Sequence, residues 1–158
     1  MNESSIRIEK AKSEDLQNIL LVINRANWEA FGRIIPKPYF KEPILTQEEL
    51  DAFLEKMTFY VHRHQKQVVA VAALSIEDDM NSRIRWVYVL PEYQRRGIGT
   101  ALVLHLETVA REMGFRKVRL VTDNGAEWAI SFYQKLGYTL AYRVRNPWGF
   151  DVWMEKHL

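Results

Sequence analysis

The spacing of apolar side chains along the chain predicts strands and helices in a mixed order. Short segments in which apolar and polar residues alternate, or which form a brief apolar run, are typical of β-strands. Seven such segments occur, at 6–11, 59–63, 68–75, 83–90, 117–121, 139–145 and 150–156. Polar turns at 64–67 and 146–149 join neighbouring segments into hairpins, so much of the sheet is expected to be antiparallel.

Four further segments space their apolar residues three or four positions apart, which is the pattern of an amphipathic helix. They begin near residues 13, 46, 99 and 127. Ser13 is the expected N-cap of the first helix, and Thr46 and Glu49 have the spacing of a capping box at the start of the second. The third helix, 99–113, has a strong apolar face and is predicted to stop at Gly114.

The predicted order of elements is β-α-α-β-β-β-α-β-α-β-β, which is an α+β fold. Strand 83–90, helix 99–113 and strand 117–121 predict one parallel β-α-β crossover in the centre of a mixed, mostly antiparallel sheet. The chain contains no internal repeat and no low-complexity tract. Residues 1–158 are therefore predicted to form a single domain.

Size, charge and cysteine content exclude several classes of protein. The 158 residues are 47% apolar and 27% charged, as in ordinary globular domains, and a net charge of +2 argues against a nucleic-acid binder. The chain has no cysteine, which excludes disulfides, thiolate metal sites and an acyl-cysteine intermediate. His62 and His64 alternate on one strand without a third ligand pattern, so no metal site is expected.

Two observations concern the compartment of the protein. Residues 1–5 are polar and lack the basic-then-apolar order of a secretory signal. The longest apolar run, 68–74, is far too short to cross a bilayer. We therefore expect a soluble, cytoplasmic protein without a membrane partner, and the oligomeric state stays open, a homodimer included.

The loop between the fourth strand and the third helix has the composition of a phosphate-binding site. Pro91 forces a turn, and Gly97 and Gly99 allow the backbone to turn its N–H groups towards a ligand. The helix N-terminus that follows has unpaired N–H donors and favours negative charge by about 0.3–1 kcal/mol. Arg95 and Arg96 add two cations. The loop is therefore predicted to bind a pyrophosphate.

Three other interpretations of this loop have less support from the sequence than pyrophosphate binding. A Walker A loop requires a lysine after its second glycine, and neither glycine here is followed by one. A dinucleotide-binding turn would use Gly97 and Gly99, with Asp123 holding a ribose, but Leu102 stands where a third glycine is needed. This dinucleotide alternative stays open, as does the plain alternative that the glycines only close a tight turn.

The chain resembles the GNAT superfamily of N-acetyltransferases in two motifs. The first is Q/R-x-x-G-x-G/A after a V-x-V strand, and QRRGIG at 94–99 follows VYV at 87–89. The second is A-x-x-x-Y-x-K-x-G-F/Y, and AISFYQKLGY at 129–138 matches it. The order of strands and helices resembles this family over essentially the whole chain.

The resemblance implies acetyl-CoA as co-substrate and a set of residues that bind it. Backbone groups of the strand would hold the pantetheine arm, and N–H groups of the loop and helix would hold the pyrophosphate. The family often has an asparagine where this chain has Ala126, so Asn124 is the nearest candidate for that contact. The implied cofactor-binding residues are Val87, Tyr88, Val89, Gln94, Arg95, Arg96, Gly97, Ile98, Gly99, Thr100 and Asn124.

The resemblance also implies direct transfer of acetyl to a primary amine of a small molecule, protein or peptide, without an acyl-enzyme. Tyr133 matches the family's general acid, which protonates the departing thiolate; the alternative is that Tyr133 is a core residue. The segment between the first two helices commonly shapes the acceptor site in this family, and Trp28, Glu29 and Phe31 near its start are the candidates here. A non-catalytic CoA-binding module is a second function that fits the same motifs.

The general base is not evident from the sequence. Strand 83–90 has no acidic residue, which leaves Glu29 and the acidic stretch 77–79 as candidates, together with a water-mediated base or an amine that arrives neutral. Deprotonating a lysine amine at pH 7 costs about 4.6 kcal/mol, whereas an α-amine needs only about 1 kcal/mol. A site with few groups to take up a proton therefore favours an amine of low pKa.

Overall fold

The computed structural model describes residues 6–158, and within these residues seven strands form a single sheet. The strands are β1 (Glu9–Lys10), β2 (Met57–His64), β3 (Gln67–Ile76), β4 (Asn81–Val89), β5 (Lys117–Asp123), β6 (Thr139–Asn146) and β7 (Gly149–His157). Their order across the sheet is β1-β2-β3-β4-β5-β7-β6. The pairing of β4 with β5 is parallel, and the other neighbouring strands are antiparallel.

Helices cover both faces of the sheet and create two apolar cores. They are α1 (Leu16–Phe31), α2 (Gln47–Phe53), α3 (Ile98–Glu112) and α4 (Glu127–Lys135). Alternation along β3 divides its side chains: Val69 and Val71 pack with α1, whereas Ala70 and Ala72 pack with α3. The continuous apolar run seen in the sequence at β3 is thus explained, because this strand is buried on both faces.

The predicted fold class and order of elements are confirmed, with small shifts at the ends of elements. The capping box at α2 is present: Thr46 Oγ1 accepts from the Glu49 N–H at 3.2 Å, and Glu49 Oε1 accepts from the Thr46 N–H at 3.0 Å. The prediction of Ser13 as N-cap is wrong, because Ser13 lies inside a 3-10 turn that precedes α1. Asp15, at the end of that turn, instead accepts from the Lys12 N–H at 2.7 Å.

The remaining predictions concern the N-terminal part of the chain and membrane-spanning helices. The first strand is shorter than its pattern, since only Glu9–Lys10 pairs with β2. The expectation about residues 1–5 lies outside the described residues. Across residues 6–158, no helix combines the length and the apolar character needed to cross a membrane.

The parallel strands β4 and β5 stay paired over only three positions. Asn81, Ser82 and Arg83 pair with residues 117–119, and beyond that point the strands diverge. A β-bulge lies in β4 at the same place: the register with β3 shifts, and Trp86 adopts a left-handed φ of 57°. Because a bulge bends its strand and raises its twist, it directs the end of β4 away from β5. The sheet is therefore split along its middle.

Candidate active site

A cavity of about 860 Å³ occupies the gap between β4 and β5. Its lining comes from α1, β4, the loop before α3, the start of α3, β5 and α4. Val87 and Val89 belong to the core on the α3 side, whereas Trp86 and Tyr88 pack on the α1 side. The cavity thus reaches both faces of the sheet, so that two molecules can meet in it from opposite sides.

The start of α3 contributes unpaired backbone donors to the cavity. The N-cap is Gly97, whose φ of 84° is left-handed and favours glycine. The Ala101 N–H donates to the Gly97 carbonyl at 3.0 Å and is the first donor that helix geometry satisfies, which leaves the N–H groups of Ile98, Gly99 and Thr100. All four residues from Gly97 to Thr100 line the cavity. An anionic group can therefore bind at this helix end.

Gly99 differs from Gly97 in its surroundings. A Cβ at Gly99 would make ordinary van der Waals contacts, at 3.4 Å from Phe132 Cζ and 3.9 Å from a Val89 methyl group. Its φ is not left-handed, whereas that of Gly97 is. Of the two glycines of the motif, Gly97 is therefore the one whose backbone conformation favours glycine.

The other loop residues of the motif point in different directions. Arg95, at a φ of 62°, lines the cavity. Arg96 does not line it, because its Nη2 donates to the Glu92 carbonyl at 3.0 Å and its guanidinium lies 5.1 Å from the Tyr93 ring. Gln94 Nε2 donates to the Val89 carbonyl at 2.9 Å and joins the loop to the end of β4.

The edge of β4 offers backbone groups to the cavity beside this loop. The Leu90 N–H donates to Val69 on β3 at 2.9 Å, so the groups of Leu90 point towards β3. Backbone groups alternate along a strand, and those of Val89 and Val87 therefore point to the opposite edge, which β5 has left. Because the Val89 carbonyl already accepts from Gln94 Nε2, the groups left for a ligand are the Val89 N–H and those of Val87. An extended ligand arm could pair with this edge as a strand would.

Tyr133 on α4 lines the cavity and also packs against the apolar core. Its ring lies 5.1 Å from Phe132 and 5.8 Å from Tyr138, in edge-on geometry. Burial raises the pKa of the Tyr133 hydroxyl above its usual range, because the phenolate would lose its hydration. The hydroxyl is therefore protonated at neutral pH, as a proton donor must be.

The predicted acceptor residues divide into two groups. Glu29 and Phe31, at the end of α1, line the cavity, and the Phe31 ring lies 5.9 Å from Trp128 on α4. Trp28 does not line it and is 54% exposed, because it occupies another face of α1. Residues 77–79 do not line the cavity either. Glu29 is the acidic residue among the lining residues.

Three residues that line the cavity were not predicted as site residues. Arg83 and Arg85 lie on one face of β4, and Trp128 lies on α4 at the opposite wall. Arg83 is the last β4 residue paired with β5, and Arg85 lies just beyond it, where the strands diverge. The signal in the sequence was the pair of charges in an otherwise apolar strand.

Asn124 and Asp123 are occupied by contacts of their own. Asn124 Oδ1 accepts from the Phe150 N–H at 3.1 Å and does not reach the cavity lining. Asp123 is 8% exposed and accepts from the Gly125 N–H at 2.8 Å and from Trp148 Nε1 at 2.6 Å. Because both oxygens of Asp123 are engaged, the dinucleotide alternative loses the acid that it needs for a ribose.

The site thus combines a sheet split between two parallel strands, a helix N-terminus at the gap and a tyrosine in the same cavity lining. Residues 20–138 match the acetyltransferase (GNAT) family, and the chain belongs to that family. The predicted family and enzyme class, an acetyl-CoA-dependent acyltransferase, are thereby confirmed.

Comparisons with individual proteins agree with this family. The chain is 26% identical to the spermidine N(1)-acetyltransferase of Thermoplasma acidophilum over 162 residues, 96% of this chain and 97% of that protein. A shorter match, 35% identical over 74 residues, covers 47% of this chain and 45% of the Bacillus subtilis protein YxbD. The PaiA N-acetyltransferase of Thermoplasma acidophilum, solved in complex with coenzyme A, has a TM-score of 0.77 at 23% identity over 97% of this chain and 99% of that one.

Proposed function

We propose that the cavity binds acetyl-CoA and that the protein transfers the acetyl group directly to an amine. The observation that supports this most strongly is the meeting of three features in one cavity. These features are the free N–H groups at the start of α3, the open edge of β4 and the hydroxyl-bearing side chain of Tyr133. The N–H groups suit a pyrophosphate, and the open strand edge suits an extended arm that contains amides. The tyrosine hydroxyl can protonate a thiolate leaving group.

The binding residues follow from this arrangement. The N–H groups of residues 97–100, with Arg95 beside them, hold the pyrophosphate at the N-terminus of α3. Backbone groups of Val87 and the Val89 N–H pair with the pantetheine arm along the edge of β4, beside the Val89 carbonyl that Gln94 already engages. Arg96 and Asn124 have structural contacts instead, with the Glu92 carbonyl and the Phe150 N–H.

The transfer needs a proton donor on the leaving-group side. The amine nitrogen forms a bond to the acetyl carbonyl carbon, the carbon–sulfur bond breaks, and the departing sulfur takes a proton from the Tyr133 hydroxyl. The acylated nitrogen loses a proton to Glu29 or to solvent, and the tyrosine regains one from solvent, so that the protons balance. The Tyr133 hydroxyl carries its proton throughout the neutral range, and because burial raises its pKa, it gives that proton up less readily than an exposed tyrosine would. With no cysteine in the chain, the transfer proceeds without an acyl-cysteine.

The acceptor amine reaches the cavity from the α1 side of the sheet. Glu29 and Phe31 line that entrance. Glu29, whose Oε1 also lies 3.5 Å from Arg25 Nε, is the acidic side chain among the lining residues that can attract an ammonium group or take up its proton. The relative from Thermoplasma acidophilum is named for acetylation of spermidine, which is an amine. This supports an amine as the acceptor class.

A thermal-shift comparison tests the cofactor. Coenzyme A should raise the melting temperature, since a ligand at 100 times its Kd stabilises the folded state by about 2.7 kcal/mol. NAD and ATP at equal concentration should raise it less. A larger shift with NAD than with coenzyme A would contradict the proposed cofactor.

A thiol-release assay separates the enzyme from the second candidate, a CoA-binding module without catalysis. Acetyl-CoA is mixed with amino acids, peptide N-termini, lysine peptides and polyamines, and free thiol is measured. Release above background with at least one class is expected. Binding of coenzyme A without release in any class would favour the module.

A further inference from the structure

Two arginines line the part of the cavity that the acceptor would enter. Arg83 and Arg85 lie on β4, on the sheet face that packs α1, two positions apart along the strand. Side chains at i and i+2 in a strand point to the same face. Both arginine side chains therefore leave β4 on the face that packs α1, the helix that carries Glu29, and both line the cavity.

Aromatic rings hold both guanidinium groups in place. Arg83 lies 4.7 Å from the centre of the Trp153 ring on β7. Arg85 lies 5.2 Å from the Phe53 ring and 5.8 Å from the Trp86 ring. These cation–π contacts restrict both guanidinium groups, and the planar fork of N–H donors on an arginine matches a carboxylate.

These two charges have no close carboxylate partner within residues 6–158. No carboxylate oxygen of that range lies within 4.0 Å of Arg83 or Arg85. Arg119, which follows on β5, is different: it contacts Glu77 and Glu155, each at 3.8 Å. Arg119, beside the cavity, thus has carboxylate partners, whereas Arg83 and Arg85, which line the cavity, have none within 4.0 Å among these residues.

Burial makes the uncompensated positive charges of Arg83 and Arg85 less favourable. It lowers the pKa of both the Arg83 and Arg85 side chains, and the proximity of Arg83 lowers that of Arg85 further, while Glu77 opposes both shifts from a distance. Arg83 Nε and Trp86 Nε1 are also buried donors without a hydrogen-bond acceptor among the described residues, as is Arg119 Nε on β5, which nevertheless has carboxylates at 3.8 Å from its guanidinium. The region supplies hydrogen-bond donors and positive charge in excess of what the chain itself uses.

We propose that the amine acceptor carries an anionic group, foremost a carboxylate, which Arg83 and Arg85 bind while Glu29 faces the amine. This inference rests on the proposed transfer to an amine and adds the substrate class: a small amino acid or a related amine that is anionic at one end. A polyamine fits poorly, because its second charge would meet the two arginines.

Matched acceptors test the charge requirement. Each amino acid is compared with its own amide, which keeps the amine and the side chain but removes the carboxylate charge. Charge-assisted hydrogen bonds are the strong ones, so kcat/KM for the acid should exceed that for the amide by about 10- to 100-fold, with spermidine below the acid. Aminophosphonates in the same panel show whether the anionic site prefers phosphonate to carboxylate.

Substitution of the two arginines tests whether they bind the anionic group of the acceptor. Arg83→Gln and Arg85→Gln should raise KM for the acid about tenfold or more and bring the acid-to-amide ratio towards one, with coenzyme A affinity unchanged. Arg83→Lys should recover part of the preference. Arg119→Gln is the matched control, because it removes the same charge from the neighbouring strand outside the cavity lining and should leave the ratio unchanged. Melting temperatures of all variants check that the fold is retained.

The outcomes separate this inference from the proposed function. If coenzyme A binds and acetyl transfer proceeds equally well, or better, with amides or spermidine, the anionic acceptor is wrong while the transferase proposal stands. If nothing in the panel is acetylated, the affinities of the same acid–amide pairs are measured by calorimetry, with and without coenzyme A. Equal affinity for an acid and its amide overturns the inference of an anionic acceptor. Failure of coenzyme A to bind would instead overturn the proposed function.

Discussion

Three tyrosines around the cavity show how surroundings assign different roles to one residue type. The hydroxyl of Tyr88 donates to Asn27 at 2.8 Å, and that of Tyr138 donates to the buried Glu107 at 2.9 Å. Burial raises the pKa of all three, Tyr133 included. Tyr133 combines a protonated hydroxyl with a place on α4 beside the gap in the sheet, and that combination suits a proton donor.

The Tyr133→Phe variant tests this role at the level of one atom. Loss of the hydroxyl should lower kcat by about 100- to 1,000-fold, the range of general acid catalysis, while coenzyme A affinity barely changes because the ring remains. Tyr138→Phe is the control: it should cost about 1–3 kcal/mol of stability by leaving Glu107 with one partner fewer, and kcat should change little. Full kcat in Tyr133→Phe would remove the assigned role.

The start of α3 shows how one element creates a binding site through its end. The loop brings Gly97 into a left-handed conformation, and the helix then leaves the N–H groups of its first turn facing the cavity. The bulge at Trp86 in β4 completes the site, because it opens the strand edge next to those donors. Neither element alone would make the cavity.

Gly97→Val tests the helix start, with Gly114→Val as a matched control. Both glycines have a left-handed φ, 84° and 92°, so either valine should cost stability through backbone strain, by roughly 1–2 kcal/mol. Gly114 lies at the end of α3, and a Cβ there meets nothing within 4 Å. Only Gly97→Val should weaken coenzyme A binding, measured by calorimetry. Equal affinity in both variants would contradict the phosphate site.

On the scale of the whole molecule, charged contacts tie the N-terminal segment to the sheet. Arg63 on β2 pairs with Asp15 before α1 and, at 2.6 Å, with Glu9 on β1. Burial alone would raise the pKa of Asp15, but the hydrogen bonds from the Lys12 N–H and from Arg63 outweigh it, and the pKa lies below its usual range. The pair therefore favours folding when Asp15 is ionised.

Stability of Asp15→Asn as a function of pH tests this contact. Because the folded-state pKa is depressed, the contribution of Asp15 is present above about pH 4 and is lost as pH falls through the folded-state value. At pH 7 the variant should lose about 1–3 kcal/mol in urea unfolding, and the difference from wild type should shrink towards pH 2. Glu92→Gln, in an exposed pair with Arg25, should change stability much less, since water screens that pair. A difference that is independent of pH would contradict the argument.

The sequence by itself determined the elements and the local chemistry of this protein. Apolar spacing depends on neighbours a few positions away, so it predicted the order of strands and helices, and the capping box at Thr46 was found from two residues. The glycine-rich loop was likewise a local pattern. The Ser13 error was local as well: the side chain that accepts a cap hydrogen bond is that of Asp15, two positions further along.

The tertiary structure decided what those elements make together. The divergence of β4 from β5 opens a cavity between them. Its lining brings together Glu29, Arg83 and Tyr133, which lie at least 50 positions apart in the chain. Asn124 and Trp28 were reasonable candidates by position, and contacts with distant strands or the outward face of a helix removed them from the cavity. Periodicity shows which face of an element is buried, but packing between distant elements selects the side chains that face a ligand.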